Sequence, residues 1–224
     1  MPGMASRRWQ ASLSCAICRI SASASGPGGQ RIAGIVVGFA GAESDGLRAI
    51  QPLRDLGSIL MDTVSWTPYC QLQQQLDVSY PKGLRNYWKS GFLDDVNDDL
   101  INLLIESLAS APSSLDHVII EPWGGAISRV PRDATAFDYR STRYNLMILA
   151  VSTDPALDAE NMEWARRVWN AAQRFSLGGS YLNYLGTDED VRVAYRDEKY
   201  ERLVALKRRY DPQNVFRLNQ NIRP

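Results

Sequence analysis

The chain has 224 residues, 45% of them hydrophobic, and its 25 Lys and Arg balance 25 Asp and Glu to a formal net charge of zero. That length and apolar share suffice to bury a real core, while the balanced charge, with no long basic run, argues against a nucleic-acid partner. No stretch approaches the roughly 20 apolar residues of a membrane span, and 3 cysteines beside 1 histidine do not make a disulfide framework or a zinc centre.

Residues 1–30 are rich in Ser, Ala and Gly, show no strong period and read as a disordered or unrelated leader. Ser6-Arg7-Arg8-Trp9 faintly resembles a twin-arginine export signal, but Arg19 interrupts the only apolar stretch that would serve as its core. Cys15 and Cys18 form a lone C-x-x-C, so no metal site is expected. Residues 32–40 (IAGIVVGFA) are apolar and partly β-branched and predict a buried strand. A helix is expected over 43–56, with Pro52 starting or kinking it. A second strand is expected over 58–64 and a short polar helix over 69–76.

Residues 85–93 (RNYWKSGFL) predict a strand with aromatic positions. Asp94 or Asp95 is then placed to cap a helix whose apolar face is Val96, Leu100, Leu103, Leu104 and Leu108. A strand follows over 117–121, and Gly124-Gly125 marks a turn or a close backbone approach. Residues 126–130 and 144–152 predict further strands. Residues 158–175 predict a helix with Met162, Ala165, Val168, Trp169 and Ala172 inward. The last helix spans 199–210 and stops at Asp211-Pro212. The alternation lacks the rhythm of a doubly wound sheet, and no G-x-G-x-x-G follows a strand. The expected class is α+β: a largely antiparallel sheet with helices on one face, the other face open to water or to a partner surface.

The final stretch carries the densest pattern. It reads Tyr181-Leu182-Asn183-Tyr184, then a Y-x-R-L-x-x-L-K-x-x-Y-D-P-x-N run from Tyr200 to Asn214, then F-R-x-N-Q-N-I from Phe216 to Ile222. This segment, 181–224, resembles the carboxy-terminal part of berberine bridge enzyme-like FAD-linked oxidases, of the vanillyl-alcohol oxidase / p-cresol methylhydroxylase superfamily. The resemblance extends back to about residue 31 through Tyr87-Trp88-Lys89-Ser90, Gly124-Gly125-Ala126 and Arg129-Val130-Pro131, which makes 31–180 a substrate-binding domain.

By that resemblance the chain is the substrate-side half of such an oxidase, its sheet a lid over the flavin of FAD. The expected reaction is oxidation of an alcohol, sugar or specialised metabolite by hydride transfer to flavin N5, with oxygen as acceptor. Nothing in the chain resembles the family's FAD-binding half, so that half is expected in cis or as a separate chain. The alternative is a non-catalytic fragment or partner subunit.

The resemblance also singles out residues. Tyr181 and Asn183 are expected on the face towards the flavin and Tyr184 on the other, if the segment is extended. Tyr181 and Tyr184 are the candidate catalytic phenols. Tyrosine ionises near pH 10 in water, so a tyrosine base calls for a cation nearby; Lys89, Arg140 and Arg143 are candidates. Trp88, Lys89, Asn145 and Met147 are expected to face substrate. Met147 stands near a position often held by glutamine or glutamate, and a thioether takes no proton. Glu121 reads as a buried acid or an arginine partner, and His117 as structural.

Overall fold

The computed structural model describes the backbone of residues 18–23, and residues 31–77, 79–186 and 188–224. Five strands form one sheet: β1 (Cys18–Ser23), β2 (Ile32–Val37), β3 (Arg85–Leu93), β4 (His117–Pro122) and β5 (Tyr144–Ser152), in the order β2-β1-β4-β5-β3. Every pairing is antiparallel. The helices are α1 (Glu43–Arg54), α2 (Tyr69–Gln74), α3 (Asp98–Ala109), a single turn α4 (Ala126–Arg129), α5 (Asp158–Ala172) and α6 (Asp197–Tyr210). The expected α+β class is what the chain forms.

β5 is buried at every position after Tyr144, because both of its faces are covered. Side chains alternate between those faces. Leu93, Val118, Ile120, Leu146, Ile148 and Ala150 pack with Leu100, Leu104 and Leu108 of α3 and Trp164, Ala165, Val168 and Ala172 of α5. Each such fully buried aliphatic side chain stabilises by about 1.5–3 kcal/mol. Gly91 makes the β3–α5 contact possible: a Cβ there would lie 2.0 Å from the Trp169 ring. The Trp164 indole N–H donates to the Ser107 carbonyl at 2.9 Å, tying α5 to α3. Ile119, Met147, Leu149 and Val151 point to the opposite face. That face is not left to water, since Leu84, Trp88 and Tyr184 pack onto it.

Several local expectations are corrected. Residues 58–64 form no strand; the Arg54 guanidinium donates to Asp62 at 2.6 Å and ties the segment back to the end of α1. Residues 126–130 are not a strand either. Gly125 turns the backbone with φ +58°, and α4 follows, closed by Pro131. The cap of α3 is Asn97, whose side chain accepts from the Leu100 N–H at 3.0 Å, not Asp94 or Asp95. Pro52 lies inside α1 instead of starting it. On α5 the large inward residue is Trp164, while Met162 is only half-buried. The strand β1 lies within the segment whose composition suggested a leader, and it pairs with both β2 and β4. The twin-arginine-like Ser6-Arg7-Arg8-Trp9 and Cys15 lie outside the described residues. Among the described residues no three His, Cys, Asp or Glu gather as metal ligands, and no helix is long and apolar enough to cross a membrane.

Candidate active site

The Tyr181–Tyr184 segment is anchored by a glycine pair and a serine. Gly178 and Gly179 both have φ +75°, and a Cβ on Gly179 would lie 2.2 Å from the Tyr139 hydroxyl. Both the left-handed backbone and the close approach call for glycine. Ser180 is then buried, with its hydroxyl 2.6 Å from that of Ser90 on β3. The chain continues as a 3₁₀ turn over Leu182–Tyr184, with the Tyr184 N–H donating to the Tyr181 carbonyl at 2.8 Å.

That turn corrects the expected disposition of the motif. In a 3₁₀ helix residues i and i+3 eclipse, so Tyr181 and Tyr184 stand together rather than on opposite faces. Their rings meet edge to face at 5.1 Å. Asn183 is exposed, and its side-chain amide donates to the Tyr181 hydroxyl at 2.9 Å.

Below Tyr184 the sheet presents a carboxylate. Register sets Glu121 of β4 opposite Asn145 of β5, and Ile119 opposite Met147. Glu121 is 6% exposed. One oxygen accepts from the Tyr184 hydroxyl at 3.2 Å, the other from the Asn145 amide at 3.2 Å. The Asn145 Oδ1 is buried without a partner among the described residues. Met147 is buried in the apolar patch against which Tyr184 packs, as is Leu149, with Trp88 beside them.

An aromatic wall extends from Tyr181. Trp123 meets it edge-on at 5.0 Å and Phe137 at 6.1 Å. Phe92 contacts Trp123 at 5.2 Å and stacks on Tyr139 at 4.5 Å. Such pairs add about 0.5–1.5 kcal/mol each beyond the area they bury. Arg140 lies over Phe137 at 4.8 Å and donates to the Ile127 carbonyl, so it is the candidate cation nearest the wall. Arg143 turns away, over Tyr144 and towards Asp95 at 3.9 Å. The Lys199 ammonium, from α6, donates to the carbonyls of Arg132, Thr135 and Phe137 at 2.5, 2.9 and 3.3 Å, and holds the loop that carries Phe137.

Lys89 is not part of this face. It alternates with Trp88 and Ser90 and projects to the helix side, where it pairs with Asp188 at 3.1 Å and Glu189 at 3.4 Å. Burial opposes its charge, but the Asp188 hydrogen bond and the Glu189 charge outweigh it and hold its pKa above the ordinary lysine value. Its cation is committed to the loop after Tyr184, which removes it as a substrate-side group. His117 is likewise occupied: its Nδ1 meets the Leu115 carbonyl and its Nε2 the Tyr80 hydroxyl, both at 2.8 Å. Burial pushes its pKa down, against the Leu115 hydrogen bond.

Asn183 opens onto a cleft of about 1060 Å³ between the 3₁₀ turn, α6 and the tail, lined also by Leu182, Arg192, Tyr200, Arg217 and Gln220. The Gln220 amide donates to the Leu185 carbonyl at 3.2 Å, so the tail closes back onto the motif. The site therefore combines an aromatic wall, two adjacent phenols, a buried carboxylate and an exposed carboxamide. Glu121 was ambiguous in the sequence because only the β4–β5 register and the turn of Tyr184 reveal its partners. Of the wall, the sequence marks only Trp123 as a pocket or core residue; Phe92, Phe137 and Tyr139 join it only through the fold, because they come from separate segments.

Residues 180–223 match the family model described as berberine and berberine like. Over 83% of its length the chain is 25% identical to an FAD-linked oxidoreductase of Dictyostelium discoideum and 29% identical to the FAD-linked oxidoreductase YvdP of Bacillus subtilis. It covers 41% and 43% of those proteins. Berberine bridge enzyme from Eschscholzia californica superposes with a TM-score of 0.76 at 20% identity, over 97% of this chain and 51% of that one. That likeness establishes the fold. The chain thus spans about half the length of the solved structure it matches.

Proposed function

We propose that this chain, berberine-like over residues 180–223 and similar along most of its length to FAD-linked oxidoreductases, is the substrate-side half of such an enzyme. The reaction proposed is oxidation of an alcohol, sugar or specialised metabolite, with oxygen as the electron acceptor. The observation that carries this reading is the pairing of Tyr181 and Tyr184 beside Trp123 and above Glu121.

The donor set suits FAD. The aromatic wall offers an apolar flank for a planar ring, and the Asn183 amide with the Tyr181 hydroxyl offers a polar rim. FAD, when bound, supplies the hydride acceptor. The protein has to hold the substrate, exclude water and take one proton. Trp88, Trp123 and Phe137 supply the dry surface, and Asn145 a polar contact beside Glu121. Tyr181 and Tyr184 are the proposed proton acceptors, a reading supported by Lys89 facing the helices and by Met147 taking no proton. A positioned acid–base group of this kind contributes about 10²–10⁴ in rate.

A second polypeptide segment, the FAD-binding half, completes the reading. Phe216 and Leu218 are 81% and 86% exposed in the tail, and Leu60, Met61 and Trp66 are exposed before α2. Large apolar side chains exposed in these two segments suit contact with another folded unit.

The test is the absorption spectrum of the purified chain with added FAD, alone and together with an FAD-binding half encoded beside it. The expected result is a colourless chain alone and a flavin band with the half present, bleached without oxygen by an alcohol or sugar. A flavin band retained through gel filtration by the chain alone would remove the need for a second half. A flavin that no such substrate bleaches would favour the non-catalytic reading, which the apolar Met147 supports.

A further inference from the structure

The aromatic wall ends on a cation. Arg140 lies over the Phe137 ring at 4.8 Å, and Phe137 in turn meets Tyr181 edge to face and tilts against Trp123 at 5.5 Å. One ring therefore separates the guanidinium from the motif. Arg132 and Arg143 are paired with carboxylates, those of Asp138 and Asp95. Arg140 is different. Among the described residues its terminal nitrogens donate to uncharged oxygens, Nη1 to the Ile127 carbonyl at 3.2 Å and Nη2 to the Thr135 hydroxyl, and its Nε–H is occluded without an acceptor. Withdrawing part of a cation from water beside an aromatic face costs free energy that an anionic oxygen would offset. Each terminal nitrogen keeps a second N–H, and both hydrogen bonds lie at the surface, so a planar oxyanion can accept from the two nitrogens together. Lys199 fixes the carbonyls of Thr135 and Phe137, which holds the cation in place before a ligand arrives.

We propose that Arg140 is a specificity-determining residue that takes the carboxylate of a substrate whose planar, apolar body lies along Phe137 and Trp123. This rests on the oxidase reading and goes beyond it by placing a charged group on the substrate: an aromatic or otherwise planar carboxylic acid, with its reacting end towards Tyr181. A single guanidinium matches the single charge of a carboxylate. A phosphate carries more charge and calls for further cations, but Arg132 holds Asp138, Arg143 is turned towards Asp95 and Lys199 is committed to backbone carbonyls. Arg140 grips the end of the ligand away from the motif, so its loss weakens binding and leaves the chemical step in place.

Two measurements test this, one of them independent of flavin. The chain labelled with ¹⁵N in arginine and tryptophan gives an Arg140 Nε–H signal by NMR, because that donor is occluded from water; Arg140→Lys assigns the signal by its disappearance. Benzoate should shift it to saturation, whereas benzamide, neutral and of the same shape, should not. That comparison is made on the wild-type chain and holds even where a variant does not fold. With benzoate followed at the Trp123 indole signal instead, Arg140→Met should weaken binding by about tenfold or more and Arg140→Lys by less, while Arg143→Met should leave it unchanged. Equal binding of benzoate and benzamide, or an equal loss in Arg140→Met and Arg143→Met, would overturn the site. A shift produced by inorganic pyrophosphate but not by benzoate would assign the cation to a phosphate and overturn the carboxylate. In the enzyme assembled with its FAD-binding half, Arg140→Met should raise KM for para-carboxybenzyl alcohol about tenfold with kcat near the wild-type value, and leave benzyl alcohol within about twofold. An equal loss on both alcohols would make Arg140 a support of its loop and nothing more. If no alcohol or sugar reduces the flavin while benzoate still binds through Arg140, the carboxylate site stands and the oxidase reading alone fails.

Discussion

Gly91 and Trp169 occupy one another's space: the β3 glycine leaves the hole that the α5 indole fills, and a Cβ there would lie 2.0 Å from the ring. The contact lies where α5 crosses β3, on the helix side of the sheet. It spaces that layer, and so bears indirectly on how β3 presents Ser90 and Phe92 to the other side.

Gly91→Ala should therefore destabilise the fold. Overpacking a filled core costs about 1–3 kcal/mol. Thermal unfolding should show a lower Tm for Gly91→Ala, and Trp169→Leu added to it should recover part of the loss. A Tm at or above the wild-type value would mean that the helix layer yields freely.

The buried Ser90–Ser180 pair joins β3 to the berberine-like segment at 2.6 Å. Either single alanine leaves one buried hydroxyl without its partner, at about 1–3 kcal/mol. The double variant removes both groups and should cost less than the sum of the two. Urea unfolding of the four proteins measures that coupling directly, and strict additivity would argue against the bond.

Lys199 holds three backbone carbonyls of the Phe137 loop. Lys199→Met keeps much of the stem and removes the donors. Stripping one partner from a buried charged cluster costs about 3–5 kcal/mol. The loop should also loosen, which faster amide exchange at residues 133–137 would show. Unchanged exchange would assign the loop's order to the aromatic wall instead.

Asp138 sets an acid limit on stability. Its side chain is fully buried and accepts from the Arg132 guanidinium at 2.6 Å and the Arg196 backbone N–H at 3.1 Å. Burial opposes its ionisation, but the Arg132 and Arg196 hydrogen bonds and the charges of Arg132 and Lys199 outweigh it, and its pKa lies below the ordinary carboxylate value. A carboxylate whose folded pKa is depressed stabilises above its unfolded pKa of about 3.9, and that stability is lost as pH falls through the lower folded value. The Tm difference between wild type and Asp138→Asn should thus be widest at neutral pH and shrink below about pH 4. A difference that stays constant down to pH 2 would contradict the assignment.

Tyr181→Phe removes the phenol that Asn183 holds. In the enzyme assembled with FAD, its effect on KM should exceed its effect on kcat if Tyr181 orients the ligand, whereas a kcat loss of about 10²–10⁴-fold would make it the proton acceptor. Steady-state kinetics across substrate concentrations separates the two.

Much of this was legible in the residues themselves. The bounds of β3 and β5, the Leu100–Leu104–Leu108 face of α3 and the berberine-like pattern of the tail follow from local periodicity and from a long run of spaced residue types. Such signals survive without knowledge of the neighbours, because apolar spacing and helix stops act over a few residues. What only the tertiary structure decided is non-local. Strand register put Glu121 beside Asn145, and alternation on β3 sent Lys89 to the helices and Ser90 to the site. A 3₁₀ turn, locked by the Ser90–Ser180 contact, set Tyr181 and Tyr184 side by side. The physical reason is that a side chain's partner depends on which face of its element is turned inward, and that is settled by packing between segments far apart in the chain.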